Sequence, residues 1–206
     1  MIIVHHLEKS RSHRILWLLE ELGLPYEIKE YKRDPKTVWA GPDLKAVHPL
    51  GKSPVVEDGG RKMAESGAIL EYLVETRGGG SLGIAQGHPR RFDYLYWLHY
   101  AEGSAMTAIL VDLYVGRCGE VPEEMRDRVQ TQVVNQIGWM EQSLSGQDFF
   151  AGDFSAADIQ MSYPAELLAA RPGVIDTVLR LKAWLGRIRE RPAYQRALVT
   201  GGPVMW

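Results

Sequence analysis

Cysteine, net charge and long apolar runs are all scarce in this sequence. The single cysteine, Cys118, excludes an intrachain disulfide, a Cys-x-x-Cys redox pair and any metal site built from several cysteines. Lys and Arg number 24 against 26 Asp and Glu, and the resulting net charge of -2 argues against a nucleic-acid partner. The longest apolar stretches fall far short of the roughly 20 residues of a transmembrane helix, so we expect no membrane span.

The remaining composition is that of an ordinary folded protein. Hydrophobic residues make up 45% of the chain and charged residues 24%, which argues against disorder. The 206 residues suffice for one large domain or two small ones. The first residues, Met1 to Val4, provide too little apolar sequence for a signal peptide and lack its basic lead. We therefore expect a cytoplasmic protein in a reducing compartment.

A glycine run, Gly78 to Gly80, separates two halves with different patterns. Before the run, short strand-like segments alternate with helix-like segments, whereas only helical patterns follow residue 87. This contrast predicts an α/β domain over residues 1–79, a linker over 80–87 and an all-α domain over 88–206.

The predicted order of elements in the first half is βαβ, helix, ββα. Apolar residues at helical spacing from Ile15 to Leu22, stopped by Gly23 and Pro25, indicate the first helix. The other predicted segments are strands at 2–4 and 26–31, a short helix at 42–47, a hairpin of 54–57 with 61–64, and a helix at 66–75.

The helices of the second half carry clear start and stop signals. An apolar stripe from Val129 to Leu144, preceded by Pro122, predicts a helix of about six turns. Ser155 and Asp158 predict the N-terminal capping box of a further helix, and we assign this box to folding. A last helix is expected to end before Pro192.

Two serines, Ser10 and Ser12, lie between the first predicted strand and the first long helix. The free amides and positive dipole of a helix start stabilise an anion such as a thiolate, and a serine hydroxyl can donate a hydrogen bond to it. Lowering a thiol pKa from about 8.5 to about 6.5 needs about 2.7 kcal/mol, which one such hydrogen bond and the dipole can supply. The alternative interpretation is that either serine only caps the helix.

Two further polar motifs fall at the same end of successive elements. Ser53-Pro54 begins a strand, where a cis peptide bond would turn the Ser53 backbone outward to pair with an extended peptide ligand. Glu65-Ser66 opens a helix whose amides and spare hydroxyl can hold a carboxylate, while Glu65 pairs with an amino group. The alternatives are a simple edge proline and a simple helix cap.

Taken in order, these motifs resemble those of the cytosolic glutathione transferases. The resemblance rests on S-R-S-H-R, H-P-L-G-K-S-P-V-V, M-A-E-S-G-A-I-L-E-Y-L and F-F-A-G-D-F-S-A-A-D-I, with support from L-W-L-L-E-E-L-G-L-P-Y-E-I and Y-K-R-D. It covers essentially the whole chain and is nearest to the serine-type bacterial and fungal branches. It implies a thioredoxin-like domain that holds glutathione as co-substrate and an all-helical domain with a pocket for a hydrophobic electrophile. A homodimer and a role in detoxification are further expectations from the resemblance.

The resemblance also implies a role for each motif. Ser10 would donate its hydroxyl to the glutathione sulfur, with Ser12 as the alternative donor. The strand end that carries a tyrosine in other branches holds His5 and His6 here, and Cys118 lies in the wrong domain for a cysteine-type enzyme. The implied glutathione-binding residues are Lys52 for the glycine carboxylate, Ser53 beside a cis Pro54 for the cysteinyl backbone, and Glu65 with Ser66 for the γ-glutamyl end.

Other chemistries are less favoured by the sequence. His5, His6 and His13 invite a metal or general-base interpretation, but they lack the spacing and the accompanying ligands of a metal cluster, so we expect no metal site. The aromatic stretch from Tyr94 to Tyr100 is expected to supply mainly core or dimer contacts, with one or two residues lining the electrophile pocket. Alternative functions are a non-catalytic interaction scaffold with the same fold, or a glutathione-dependent peroxidase, reductase, isomerase or dehalogenase.

Overall fold

The chain folds into two compact units. The computed structural model describes residues 1–204. One unit combines Met1–Gly83 with the described chain from Arg189 onward, and the other is Ile84–Ile188. The division after Gly83 falls within the predicted linker at 80–87. The structure differs from the predicted domains in the last part of the chain, which we assigned to the helical domain and which belongs to the first unit.

The first unit is built on a four-stranded sheet in the order β2-β1-β3-β4. Strand β1 pairs in parallel with β2 and antiparallel with β3, so that Val4 lies between Ile28 and Val56. Strands β3 and β4 form the predicted hairpin, in which Gly59 and Gly60 both adopt positive φ angles that favour glycine. The strands are β1 (Ile2–Leu7), β2 (Tyr26–Tyr31), β3 (Val55–Asp58) and β4 (Arg61–Ala64).

Four helices belong to the first unit. Residues Ile15 to Leu19 of α1 are fully buried, and the helix ends at Gly23 in the left-handed conformation, as the sequence predicts. The helices are α1 (His13–Leu22), α2 (Asp43–Val47), α3 (Ser66–Thr76) and, from the end of the chain, α9 (Pro192–Gly201). With the mixed sheet, α1 to α3 give the predicted thioredoxin-like architecture.

Helix α9 was missed in the sequence analysis and packs against α1. Arg191 Nε donates to Glu21 Oε1 at 2.6 Å, and the Tyr194 ring lies edge-on to Trp17 with centroids 5.0 Å apart. Its buried residues, apart from Tyr194, are alanines, so its apolar stripe is too weak to recognise without the surface of α1.

The second unit is helical throughout, as predicted. Between Ile84 and Ile188 the structure contains helices, turns and one isolated bridge between Phe149 and Gly152, but no strand. A π-helical segment, Ala101–Met106, joins α4 to α5 and was not predicted. The helices are α4 (Arg91–Tyr100), α5 (Thr107–Arg117), α6 (Glu123–Ser143), α7 (Ala156–Ala169) and α8 (Leu179–Arg189).

The predicted capping box of α7 is present and extends into the core of the second unit. The buried carboxylate of Asp158 accepts hydrogen bonds from the Ser155 and Phe150 backbone amides, both at 3.0 Å. Trp184 Nε1 donates to the same carboxylate at 2.9 Å. The box therefore connects the start of α7, the preceding loop and α8, in agreement with a folding role.

A buried carboxylate also ties the hairpin of the first unit to α3. Arg77 donates to Asp58 through Nε at 2.7 Å and through Nη2 at 2.6 Å, and the Tyr72 hydroxyl adds a third hydrogen bond at 3.1 Å. The hydrogen bond from Arg77 lowers the pKa of Asp58 below its usual value. The native carboxylate is therefore stabilised above the unfolded pKa of about 3.9, and this stabilisation is lost as pH falls through the native pKa.

We expect Asp58→Asn to lower the free energy of unfolding by about 1–2 kcal/mol at pH 7, because the charge-assisted hydrogen bonds are lost. The difference between the variant and the native chain should shrink as pH falls below about 4. Urea unfolding at pH 7, 4 and 3 measures it. A difference that is the same at all three pH values would contradict the role of the Asp58 charge.

Candidate active site

The loop between β1 and α1 is held in shape by Arg33. The guanidinium of Arg33 donates to the carbonyl oxygens of Glu8, Lys9 and Val38 at 3.2, 3.0 and 2.9 Å. Lys9 adopts a positive φ of 50°, a conformation that a non-glycine residue keeps only where its surroundings impose it. Arg33 thus positions the chain that leads into Ser10, a role that the sequence analysis did not assign to it.

Ser10 and Ser12 form a buried pair at the start of α1. Their hydroxyl oxygens are 2.7 Å apart, and the Ser12 amide donates to Ser10 Oγ at 3.2 Å. Ser12, the residue before α1, makes no side-chain cap hydrogen bond. Ser10 Oγ accepts from the Ser12 amide as a capping serine does, so the alternative cap interpretation applies to Ser10 and not to Ser12. Ser10 keeps 5% of its surface exposed, whereas Ser12 has none.

The Ser12 hydroxyl lies against His6. Ser12 Oγ is 2.8 Å from His6 Nδ1 and 3.2 Å from the Leu7 carbonyl oxygen, while His6 Nε2 is 2.8 Å from the carbonyl oxygen of Gly201. Burial lowers the pKa of His6, which favours the neutral ring. Because a carbonyl oxygen only accepts, the hydrogen-bond partners assign the ring proton to Nε2 and leave Nδ1 to accept from Ser12. From the sequence, His6 was one of three histidines open to a metal or general-base interpretation, and no partner for its ring was predicted.

Ser53 and Pro54 stand at the start of β3, and the peptide bond between them is cis, as expected from the resemblance. Ser53 Oγ donates to the His5 carbonyl at 2.8 Å and accepts from the Leu7 amide at 3.2 Å. Both hydrogen bonds of the Ser53 hydroxyl are made to β1, so a ligand would bind the Ser53 backbone rather than its side chain. The neighbouring Lys52 is exposed, and its side chain makes no hydrogen bond or ion pair with the described residues.

Glu65 and Ser66 join β4 to α3. Glu65 is exposed and has φ 69° and ψ 109°, a strained conformation of the kind that often marks a functional site. Ser66 is buried, forms the first residue of the helix rather than its predicted N-cap, and accepts a hydrogen bond from Arg14 Nη1 at 3.1 Å. Since Arg14 is a fully buried residue of α1, this bond connects the starts of α1 and α3.

Strand pairing brings the three motifs to one edge of the first unit. His5 lies opposite Val55, which places the start of β3 beside the end of β1 and the loop to Ser10. Val55 in turn lies opposite Ala64, the residue before Glu65. This edge therefore offers amides at the start of α1 and α3, a buried pair of hydroxyls, an exposed carboxylate and an exposed amine. Such a set suits a small zwitterionic ligand with more than one carboxylate.

The aromatic stretch of the second unit is divided between its core and its surface. Trp97 and Tyr100 of α4 are buried at 4% and 8% exposure, and the Trp97 ring lies 4.6 Å from that of Phe150. Tyr96, at 36% exposure, and His99 lie on the surface. The expected core contacts are present at Trp97 and Tyr100, and the dimer contacts and the pocket-lining residues stay predictions.

Residues 1–204 contain neither a metal-binding cluster of side chains nor a membrane-spanning helix. Within this range no group of three or more His, Cys, Asp or Glu side chains is arranged to hold a metal ion. No helix in the same range has the length and apolar character needed to cross a membrane.

Comparison with known proteins matches both halves of the chain to one family. Residues 1–75 match the model of the glutathione S-transferase N-terminal domain, and residues 98–192 match that of the C-terminal domain. Glutathione S-transferase 3 of Schizosaccharomyces pombe is 34% identical over 209 residues, covering 94% of this chain and 85% of that protein.

Solved structures agree with this match. A glutathione S-transferase from Actinobacillus pleuropneumoniae has a TM-score of 0.89 and 32% identity, covering 98% of this chain and 93% of that one. A sphingomonad glutathione S-transferase complexed with glutathione has a TM-score of 0.77 and 27% identity, covering 97% and 98% of the two chains.

Proposed function

The chain belongs to the glutathione S-transferase family, and on that basis we propose that it activates the glutathione thiolate for attack on hydrophobic electrophiles. The attack would proceed by nucleophilic substitution, conjugate addition or reduction of a peroxide. The observation that carries the proposal is the buried Ser10 hydroxyl at the start of α1, on the same edge of the first unit as the cis Ser53-Pro54 bond. Arg14 of α1 donates to Ser66, which connects this helix to the start of α3.

We assign the thiolate-stabilising role to Ser10 rather than Ser12. The Ser12 hydroxyl is surrounded by Ser10, His6 and the Leu7 carbonyl, and Ser12 has no exposed surface through which a ligand could reach it. Ser10 keeps a small exposed surface at the positive end of α1. A hydroxyl in that position can donate to a bound sulfur while the helix dipole favours its negative charge.

The remaining site residues would hold the ends of glutathione. Lys52 is an exposed cation without an ion-pair partner among the described residues and is suited to the glycine carboxylate. The Ser53 backbone would pair with the cysteinyl unit, because its hydroxyl is already used by β1. The exposed Glu65 carboxylate and the start of α3 at Ser66 would bind the amino and carboxylate groups of the γ-glutamyl end.

Five broader assignments belong to the same proposal. The residues of the first unit and the similarity to a fungal and a bacterial relative support a serine-type bacterial or fungal branch. The helical unit would provide the pocket for the electrophile. We propose that the protein works in the cytoplasm as a homodimer and that its reaction serves detoxification.

Titration with glutathione at neutral pH tests the function, with the ultraviolet absorbance of the thiolate as the readout. We expect a saturable thiolate signal from the native chain. S-methylglutathione, which has no thiol, should bind without producing that signal. If millimolar glutathione does not bind, the proposal is wrong and a non-catalytic scaffold is favoured. Once a thiolate is seen, turnover measured with competing electrophiles distinguishes glutathione transfer from peroxidase, reductase, isomerase and dehalogenase activity.

A further inference from the structure

A chain of hydrogen bonds leads from the candidate site to a buried imidazole. Ser10 Oγ lies 2.7 Å from Ser12 Oγ, and Ser12 Oγ lies 2.8 Å from His6 Nδ1. At the far end, His6 Nε2 lies 2.8 Å from the carbonyl oxygen of Gly201. All four residues belong to the first unit, and all three side chains are at least 95% buried.

The Gly201 carbonyl sets the position of the His6 ring proton, and the distances set that of the Ser12 proton. Because a carbonyl oxygen can only accept, His6 carries its proton on Nε2, and Nδ1 accepts from the Ser12 hydroxyl. Ser12 Oγ lies 2.8 Å from His6 Nδ1 but 3.2 Å from the Leu7 carbonyl oxygen, so the shorter contact assigns its one proton to His6. With its own proton directed at His6, Ser12 Oγ accepts from Ser10. Ser10 Oγ also accepts from the Ser12 amide at 3.2 Å, which leaves one lone pair of this oxygen for the S–H group of a thiol.

Close packing holds the Gly201 carbonyl in this position. A Cβ atom at residue 201 would lie 2.5 Å from Leu16 Cδ1 and 3.1 Å from His6 Cε1. A side chain at residue 201 would require Leu16 or the His6 ring to shift, so glycine suits the close approach of the last turn of α9. The approach also places the negative end of the α9 dipole against the His6 ring, which favours a positive charge there.

We propose that His6 accepts the proton of the glutathione thiol through Ser10 and Ser12, which rests on the function proposed above. The S–H bond breaks as its proton passes to Ser10 Oγ. The original Ser10 proton passes to Ser12 Oγ, and the original Ser12 proton passes to His6 Nδ1. The products are a thiolate that accepts from Ser10 and an imidazolium that donates to Ser12 and Gly201, with the number of protons unchanged.

Some features around His6 disfavour a positive charge on its ring, and others favour it. Burial lowers the pKa of His6, whereas the Gly201 carbonyl, Glu30 and Glu8 raise it. Lys9 and Lys32 line the same surface cavity of about 240 Å³ as these two carboxylates and His6. On the α1 side, His13 stays neutral because burial lowers its pKa to about 3. This balance suits a base that is neutral without a thiol and becomes charged opposite a thiolate.

The variant His6→Asn distinguishes two possible roles of His6. The residue either accepts the proton or only positions Ser12. The asparagine oxygen can still accept from the Ser12 hydroxyl but cannot take up a proton. We expect the pKa of bound glutathione, followed by thiolate absorbance, to rise by about one unit or more in this variant. Well below that pKa, the thiolate fraction then falls about tenfold.

A matched control comes from the adjacent residue. His5 is also buried in β1, but its ring bonds to Tyr31 and Glu57 and lies outside the relay. We expect His5→Asn to leave the thiol pKa unchanged. Binding of S-methylglutathione, which has no proton to transfer, should stay within about threefold in both variants and shows that the site is folded. An unchanged thiol pKa in His6→Asn with intact binding would overturn the proposal.

Nuclear magnetic resonance of the histidine rings gives a direct readout in the native chain. The His6 signal is the one missing from the His6→Asn spectrum. We expect it to become that of an imidazolium on addition of glutathione but to stay neutral with S-methylglutathione. A neutral His6 beside a thiolate would refute the relay and leave the proposed function standing. Absence of any thiolate in the native complex would refute the proposed function itself.

Discussion

Replacing Ser10 with alanine is expected to lower turnover at saturating glutathione by about 10- to 100-fold. The variant loses a hydrogen bond to a charged sulfur, which contributes about 1.5–3 kcal/mol, and each 1.36 kcal/mol changes a rate about tenfold. The binding residues at β3 and α3 are untouched, so affinity for S-methylglutathione should change only a few-fold. Steady-state kinetics with a hydrophobic electrophile, together with calorimetric titration of S-methylglutathione, provide the two measurements.

Ser12→Ala is the comparison that assigns the role to one serine. It removes a hydroxyl of the same type two residues away and leaves Ser10 in place to donate. We expect a smaller fall in turnover together with a raised pKa of the bound thiol, because the link to His6 is cut. If Ser10→Ala keeps native turnover while Ser12→Ala loses it, the thiolate-stabilising role belongs to Ser12.

Asp158→Ala is expected to lower the free energy of unfolding by about 3–5 kcal/mol. The change leaves the amides of Phe150 and Ser155 and the indole nitrogen of Trp184 without their acceptor, and each buried donor costs about 1–3 kcal/mol. Urea unfolding measures the loss. Asp153, an exposed residue of the same loop, supplies the control, since Asp153→Ala should change stability by less than about 0.5 kcal/mol.

The pH dependence gives an independent check on Asp158. Burial raises the pKa of its carboxyl group to about 6, above the unfolded value of about 3.9. A raised native pKa means that this group stabilises the fold most below the unfolded pKa, and that the contribution is lost as pH rises through 6. The native chain should therefore lose stability between about pH 4 and pH 6 in a step that Asp158→Ala lacks. The same step in both proteins would contradict this assignment.

Local signals in the sequence predicted much of the secondary structure. Strand β2 has the predicted bounds, α1 ends at Gly23 as predicted, and the capping box of Ser155 and Asp158 is formed. Each of these features depends on residues within a few positions of one another, so a single stretch of sequence contains the whole physical cause. The motifs at Ser10 and Ser53-Pro54 differ, because each alone fits a helix cap or an edge proline, and only their order along the chain, through the family resemblance, gave them a role.

Other features could not be predicted because their partners are distant in the chain. Strand β1 extends through His5 and His6, which no apolar pattern indicates, because the fold supplies hydrogen bonds to both buried rings. The bond between His6 and Gly201 spans 195 positions of sequence. The burial of Arg14 could not be predicted for the same reason. Its fully buried guanidinium in α1 donates to Ser66 of α3, a residue that is distant in the sequence.

The sequence by itself therefore determined the α/β and all-helical halves, the order of the elements in the first half and the positions of the three polar motifs. Only the tertiary structure decided that the last helix joins the first unit and that Ser10 rather than Ser12 keeps exposed surface. It also decided that the His6 ring contacts the Ser12 hydroxyl, which in turn contacts that of Ser10. The physical reason is that a buried polar group must be paired, and its partner is chosen by packing rather than by neighbouring residues.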